Sequence, residues 1–396
     1  MCTQNCSATS VNSPPASRAD PAALLVERIH RNGPIGYGDF VDGALYGPGG
    51  FFSSGGGAGR TGRDFITSPE VGPLFGVCVA RALDREWHRL GTPDPFVVVE
   101  AGAGTGRLAR EVLRAEPECA PALHYVLVER SPALRAEMAE RLPLEPLTDA
   151  FGPAVVGEPD ESPMPVEGSG PIVSAAEEFP AAPFTGVVMA NELLDNLAFA
   201  VVEWRGTHWD EIRVGVDGGH FVDVPVRAAE TLARWVAEVD VPVGTRLPVA
   251  AGAVDWIVAV ARHLRRGSMI LLDYAAEWSE LAARDGGWLR TYIGHTRGRD
   301  PLVAPGTQDI TIDVPIELVR HAAARAGLAF AEATQADWLQ GLGIDELVAA
   351  GRARWETHAA APDLAAIAGR SRASEAAALT DPAGLGAHRV MTLTRR

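Results

Sequence analysis

The sequence predicts an α/β protein built on a mostly parallel, seven-stranded sheet with helices on both faces. Three observations predict it. From residue 96 onward, short apolar runs of strand length alternate with helical segments, the order that builds parallel sheets. The first run, Phe96–Glu100, is apolar up to its final acid, as a strand buried on both faces should be. It passes into Gly102-Ala103-Gly104-Thr105-Gly106, where glycines allow a sharp turn and close approach to the main chain.

The elements follow in order. Residues 1–19 are rich in Ser, Pro and Asn and read as a disordered tail. Pro21–His30 is helical, with Asp20 as N-cap and Pro21 in the first turn. Gly33–Gly62 is glycine-dense and is expected to be a mobile loop. Ser68-Pro69-Glu70 opens a helix running through Phe75, Val79 and Leu83 towards Trp87. Ser68 is its expected N-cap and Pro69 its first residue, and Glu70 suits the positive end of the dipole. After the first strand come a helix over Arg107–Ala115, a strand over His124–Glu129 and a helix over Ser131–Arg141. Pro171–Ala175, Phe184–Asn191 and Ser268–Tyr274 are the third, fourth and fifth strands. Between the last two lies an insertion with antiparallel strands at Ala200–Arg205 and Glu211–Val216, and a helix near Ala228–Val239. A helix from Ile316, a strand near Leu328–Ala331, helices through 336–378 and a last strand at Arg389–Thr394 complete the chain. The organisation is thus a tail (1–19), an N-terminal helical and Gly-rich cap (20–95), a Rossmann-like core (96–197), an inserted α+β substructure (198–250), and the rest of the sheet with C-terminal helices (251–396).

Composition narrows the function. The 396 residues are 47% hydrophobic and carry a formal net charge of −16. Such a surface repels phosphate backbones, so nucleic acid is not an expected partner; it suits a basic protein or peptide, and a solvated acidic surface with no partner is the commoner explanation. All 35 basic residues are arginine. The lack of lysine excludes Schiff-base and P-loop lysine chemistry, and a GC-rich genome is the simple cause of an Arg-only composition; a bacterial source is expected. The cysteines Cys2, Cys6, Cys78 and Cys119 form neither a disulfide framework nor a zinc pattern, so no metal is expected. No apolar run approaches the ~18–20 residues of a membrane span, and residues 1–19 lack the apolar stretch of a secretory signal. The expected compartment is the cytoplasm, without membrane attachment. Monomer and homodimer are both open.

The glycine turn carries the cofactor reading. A dinucleotide fingerprint has the form G-x-G-x-x-G. Here the third glycine comes one residue early and Arg107 takes its place, which disfavours a pyrophosphate. S-adenosylmethionine (SAM) has no phosphate but has a sulfonium and an ammonium. Glu100, beside the turn, can supply negative charge for these. Glu129, at the end of the second strand, can accept hydrogen bonds from both ribose hydroxyls; nicotinamide enzymes use a similar acid, so Glu129 indicates a ribose without choosing between cofactors. The set of Glu100, Gly102, Gly104, Gly106 and Glu129 therefore points to SAM and to a class I methyltransferase.

Ala190-Asn191-Glu192-Leu193-Leu194-Asp195-Asn196 follows the fourth strand, at the lip that would face the transferred methyl group. On a helix, Glu192 and Asp195 would share a face. Asn191 could equally cap that helix, with the acids serving its dipole. Paired carboxylates could hold a guanidinium, alone or with Glu70, or act as base for a hydroxyl or amide.

These motifs together resemble the MidA-like methyltransferase family, which includes the mitochondrial complex I assembly methyltransferase. The similar segments are Gly62–Glu70 with Leu74-Phe75-Gly76, Glu100–Leu108, Glu129–Arg135, Asn191–Asp195 and Asp273-Tyr274. Leu289–Tyr292, His295, Asp300-Pro301-Leu302 and Pro305–Thr311 continue the match, which covers roughly residues 20–330. The chain departs from the family pattern at Gly102–Gly106, at Ala198 in place of a proline, and at Asp313-Val314-Pro315-Ile316. The resemblance implies N-methylation of a protein arginine. It also implies that Gly62–Glu70, with Ser68 and Glu70, lies over the cofactor. Asn191, Glu192, Asp195 and His295 are the candidate catalytic residues, with Asn191 also near the cofactor. The methyl acceptor is read as a protein or peptide, with a small molecule or natural product as the alternative. A non-catalytic assembly factor is the alternative of another class.

Overall fold

Among the described residues, seven strands form the central sheet: β1 Phe96–Ala101, β2 Leu123–Val128, β3 Ile172–Ala176, β4 Phe184–Asn191, β5 Leu264–Asp273, β6 Ala329–Thr334 and β7 Arg389–Arg395. The computed structural model describes residues 19–56, 67–151, 154–156, 164–293 and 296–396. The strand order is β6-β7-β5-β4-β1-β2-β3. Neighbours from β5 through β3 run parallel, and only β7 enters antiparallel, between β5 and β6. Every residue of β1 and β2 is buried, which is why both read as nearly unbroken apolar runs. The α/β class and the seven strands are those the sequence predicts. The chain leaves β1 towards β2 and β3, then returns to place β4 on its other side. That reversal opens a crevice at the carboxyl ends of β1 and β4.

The insertion holds the two expected strands, as Ala200–Trp204 and Trp209–Asp217, and two more at His220–Arg227 and Arg246–Val249. His220–Arg227 is an edge strand with no fully buried residue; Val222, Val224 and Val226 alternate along it, and Pro225 is tolerated because the strand lies at the edge. The helix expected near Ala228–Val239 shrinks to Glu230–Ala233 with a 3-10 turn at Arg234–Val236. The segment turns early to feed Arg246–Val249.

The stretch expected to be a mobile loop, Gly33–Gly62, contains a helix at Tyr37–Leu45. Tyr37, Phe40, Val41, Ala44 and Leu45 are buried, at the spacing of one helical face; Gly36, Gly38 and Gly43 masked that pattern. Ile35–Gly36 pairs with Arg213–Val214 of the insertion, so cap and insertion share one sheet. Residues 1–18 and 57–66, which include most of the expected tail and part of the loop, lie outside the described residues.

The helix predicted from Ser68 to Trp87 is two, Ser68–Val71 and Pro73–Arg89, separated at Gly72. Ser68 is not the N-cap, because Thr67 precedes the first turn. The Ser68 hydroxyl instead donates to Gln335 Oε1 at 2.8 Å. The second helix takes its first-turn anion from far along the chain, where Leu74 N donates to Glu375 Oε2 at 2.9 Å. No helix of the described residues is long and apolar enough to cross a membrane.

Candidate active site

The crevice at the ends of β1, β2 and β4 is lined by the glycine turn, Glu70, Glu100, Glu129, Asn191 and Glu192, with Tyr46 and Phe52 from the cap. Gly102, Gly104 and Gly106 all have positive φ, at 70°, 56° and 72°, which L side chains rarely adopt. Their roles then divide. A Cβ on Gly104 would meet nothing within 4 Å, so this residue faces open space. A Cβ on Gly106 would sit 2.7 Å from Leu142 Cδ1 and 3.1 Å from Met138 Cγ. Gly106 therefore serves packing, as the left-handed residue that opens the helix Arg107–Arg114.

Glu100, at the end of β1, is only 4% exposed. Tyr125 Oη donates to its Oε2 at 2.7 Å. Burial pushes the Glu100 carboxyl up to about 7, against that hydrogen bond. Tyr125 was not singled out from the sequence; its signal was one hydroxyl in an otherwise apolar strand beside a terminal acid. Glu129 ties the turn to β2: Oε2 accepts from Gly104 N at 2.9 Å and Oε1 from Ser131 N at 2.7 Å. Burial raises this carboxyl too, opposed by those backbone donors.

Arg107, standing where a dinucleotide fingerprint has its last glycine, pins the Ser68–Val71 turn over the crevice. Its Nε donates to Pro69 O at 2.8 Å, and its Nη1 lies 3.3 Å from Glu70 Oε2. Glu70 thus reaches the crevice. Ser68 is fully buried and its hydroxyl is taken by Gln335.

After β4 the expected helical geometry fails. Glu192 has φ 52°, and only Leu194–Asn196 coils, as a single 3-10 turn. Asn191 caps no helix and Glu192 and Asp195 share no helical face. The backbone donors there go to Asp273, whose Oδ2 accepts from Leu193 N at 3.2 Å and Leu194 N at 2.7 Å. That acid sits at the end of β5, and it fixes the lip. Asn191 Nδ2 donates to Glu192 Oε1 at 3.3 Å, while Asn191 Oδ1 is buried without a partner among the described residues. Both side chains line the crevice. Burial raises the Glu192 carboxyl well above its ordinary range, and the Asp195 charge adds to this.

Asp195 lies behind them, 1% exposed, with Oδ1 unpartnered among the described residues. Its carboxyl is pushed up to about 7 by burial, against the Arg290 guanidinium. Arg290 stacks 4.4 Å from the Tyr274 ring centroid and bridges Asp313 at 2.5 Å. Asp313, marked in the sequence only as a departure, is thus a buried counter-ion, shared with Arg284. His295 lies outside the described residues. Among the described residues, no group of His, Cys, Asp and Glu is arranged to hold a metal ion.

The crevice fits a cationic nucleoside. Four carboxylates face it, and Arg107, already paired with Glu70, is the one cation among its described lining residues. Gly104 leaves room against the main chain, and Glu129 stands where a ribose diol would bond. Fold and crevice together define a methyltransferase that uses SAM. Residues 78–334 match the family of S-adenosyl-L-methionine-dependent methyltransferases, and the chain belongs to that family. It is 28% identical over 325 residues to the mitochondrial protein arginine methyltransferase NDUFAF7 homolog of Drosophila melanogaster, covering 77% of this chain and 70% of that protein. It is 25% identical to the mitochondrial protein arginine methyltransferase NDUFAF7 of Homo sapiens, covering 81% and 73%. A solved structure from Burkholderia thailandensis, bound to S-adenosyl-homocysteine, superposes with a TM-score of 0.77 at 28% identity, covering 95% of this chain and 92% of that one.

Proposed function

We propose that this methyltransferase N-methylates an arginine side chain of a protein or peptide. One observation carries the reading: at the β4 lip, Asn191 and Glu192 line the crevice, Asn191 Oδ1 has no hydrogen-bond partner among the described residues, and the one described cation of the lining, Arg107, is already paired with Glu70. A guanidinium offers five donors in a fixed fork and no acceptor, so it complements this lip. SAM supplies an activated methyl group on a sulfonium. Asn191 steers the Glu192 carboxylate, and Glu192 holds the guanidinium and accepts the proton it loses. Burial raises this carboxyl, which favours taking up that proton. Asp195, behind the lip, adds negative charge. Glu100, Gly104 and Glu129 bind the cofactor, with Glu70 over it. The names of the relatives, protein arginine methyltransferases, support the acceptor class.

We place the protein in a bacterial cytoplasm, in line with its free, buried Cys78 and Cys119, and expect no nucleic-acid partner at a net charge of −16. The cap (20–95) and the insertion (198–250) form a substructure beside the core, joined by the pairing of Ile35–Gly36 with Arg213–Val214. The test is incubation with tritiated SAM and a lysate of the source organism. Label in a discrete protein band supports the reading. Label confined to small molecules overturns it in favour of a metabolite acceptor.

A further inference from the structure

The cap reaches the cofactor crevice through an aromatic pair. Tyr46 and Phe52 stack with ring centroids 5.3 Å apart and planes at 24°. Both line the crevice beside Glu129 and Leu134. Three consecutive residues after β2 hold this arrangement. Glu129 carries the Gly104 amide. Arg130 sets its guanidinium 4.6 Å from the Tyr46 ring centroid and bridges Asp42 at 2.9 Å. Ser131 Oγ donates to the Phe52 carbonyl at 2.8 Å. One tripeptide thus grips the glycine turn with its first residue and the cap with the next two.

We propose that Tyr46 and Phe52 form the stacking wall for the nucleoside half of the cofactor, and that Arg130 and Ser131 latch this wall to the ribose-binding acid. The sheet order gives the direction. β4 carries the acceptor lip, β1 the glycine turn and β2 Glu129, side by side. A cofactor with its methyl group at Asn191 and Glu192 and its ribose at Glu129 has its base beyond Glu129, where Phe52 and Leu134 stand. A base stacks on an aromatic face through its π surface. The latch is shallow: the Arg130 and Asp42 side chains are 61% and 51% exposed. A bridge that open is weak, so the wall can release the spent cofactor. The proposal rests on the cofactor and not on the arginine reading.

The test is calorimetry with S-adenosylhomocysteine and with 5′-methylthioadenosine, which keeps the nucleoside and lacks the amino-acid end. Phe52→Ala is expected to weaken both by a similar factor, about tenfold or more, while Phe52→Tyr restores both. Arg130→Gln is expected to speed release of S-adenosylhomocysteine at least about threefold in stopped flow, because losing a latch acts mainly on the off-rate. Unchanged methylthioadenosine binding in Phe52→Ala overturns the wall, and unchanged release in Arg130→Gln overturns the latch. If Phe52→Ala loses its cooperative melt, a larger aromatic face decides instead: Phe52→Trp must shift both affinities together, and a shift in neither overturns the wall. Failure of the wild-type chain to bind either probe would count against the cofactor itself.

Discussion

Tyr125 Oη, on β2, donates 2.7 Å across to Glu100 Oε2 at the end of β1, and both groups are buried. The bond lets a carboxylate exist in the floor of the crevice, where burial alone would hold it neutral. A bound cation completes the compensation. Tyr125→Phe removes the one side-chain hydrogen-bond donor to Glu100 among the described residues, so SAM affinity at pH 7 is expected to fall about tenfold, as for a lost hydrogen bond to a charged group. Calorimetry in wild type and variant checks this; an unchanged affinity would refute the coupling.

Glu100 also fixes a pH dependence of stability. Its folded-state pKa of about 7 lies above the ordinary 4.5. Below about 4.5 both states are protonated and the group costs nothing. Between about 4.5 and 7 the unfolded chain ionises first, so stability falls as pH rises, and above 7 the loss is complete. Its size is on the order of 3 kcal/mol. Without cofactor, Glu100→Gln should therefore match wild type at pH 4.5 and melt higher at pH 8, while losing SAM affinity. Equal melting temperatures at pH 8 would contradict the raised carboxyl.

The last two glycines of the turn should fail differently. Gly106→Ala combines positive φ with a Cβ 2.7 Å from Leu142, so a loss of about 2–4 kcal/mol in stability is expected. Gly104→Ala meets no atom within 4 Å and should cost about 1–2 kcal/mol, yet weaken SAM binding because its methyl stands in the crevice. Thermal melts beside calorimetry separate the two. Equal stability losses would contradict the division of roles.

Asp313 neutralises Arg290 in the interior, with side chains 3% and 7% exposed. Asp313→Asn leaves a buried cation with weakened compensation and should cost about 3 kcal/mol. Asp313→Leu with Arg290→Met should recover much of that. Denaturant melts of the three variants check it, and a double variant worse than the single would contradict the pairing.

Much of this was legible in the sequence, and the failures have physical causes. β1, β2 and β4 announced themselves because strands buried on both faces are apolar throughout. Glu100, Glu129 and the glycine turn were legible because they end those strands. The helix Tyr37–Leu45 was hidden because its glycines mimic loop composition while its buried face follows helical spacing. Glu192 was misplaced on a helix because nothing local reveals that Asp273, some eighty residues later, takes up the lip's backbone donors. The pairing of Arg290 with Asp313 escaped notice, although both residues stand in segments compared with the family, because ion pairing across elements leaves no local pattern.

Glu192→Gln should lower methyl transfer by at least about a hundredfold, the range for removing a positioned general base. Affinity for S-adenosylhomocysteine should stay within about threefold, since the lost group acts on the acceptor. An unchanged rate would refute its role, and a lost affinity would move it to the cofactor.

The arginine acceptor is tested most directly by acid hydrolysis of the protein band labelled from tritiated SAM, followed by amino-acid chromatography. The expected result is label co-eluting with methylarginine, absent with Glu192→Gln. Label on any other amino acid, or lost as a volatile ester, would contradict the guanidinium reading of the Asn191–Glu192 lip.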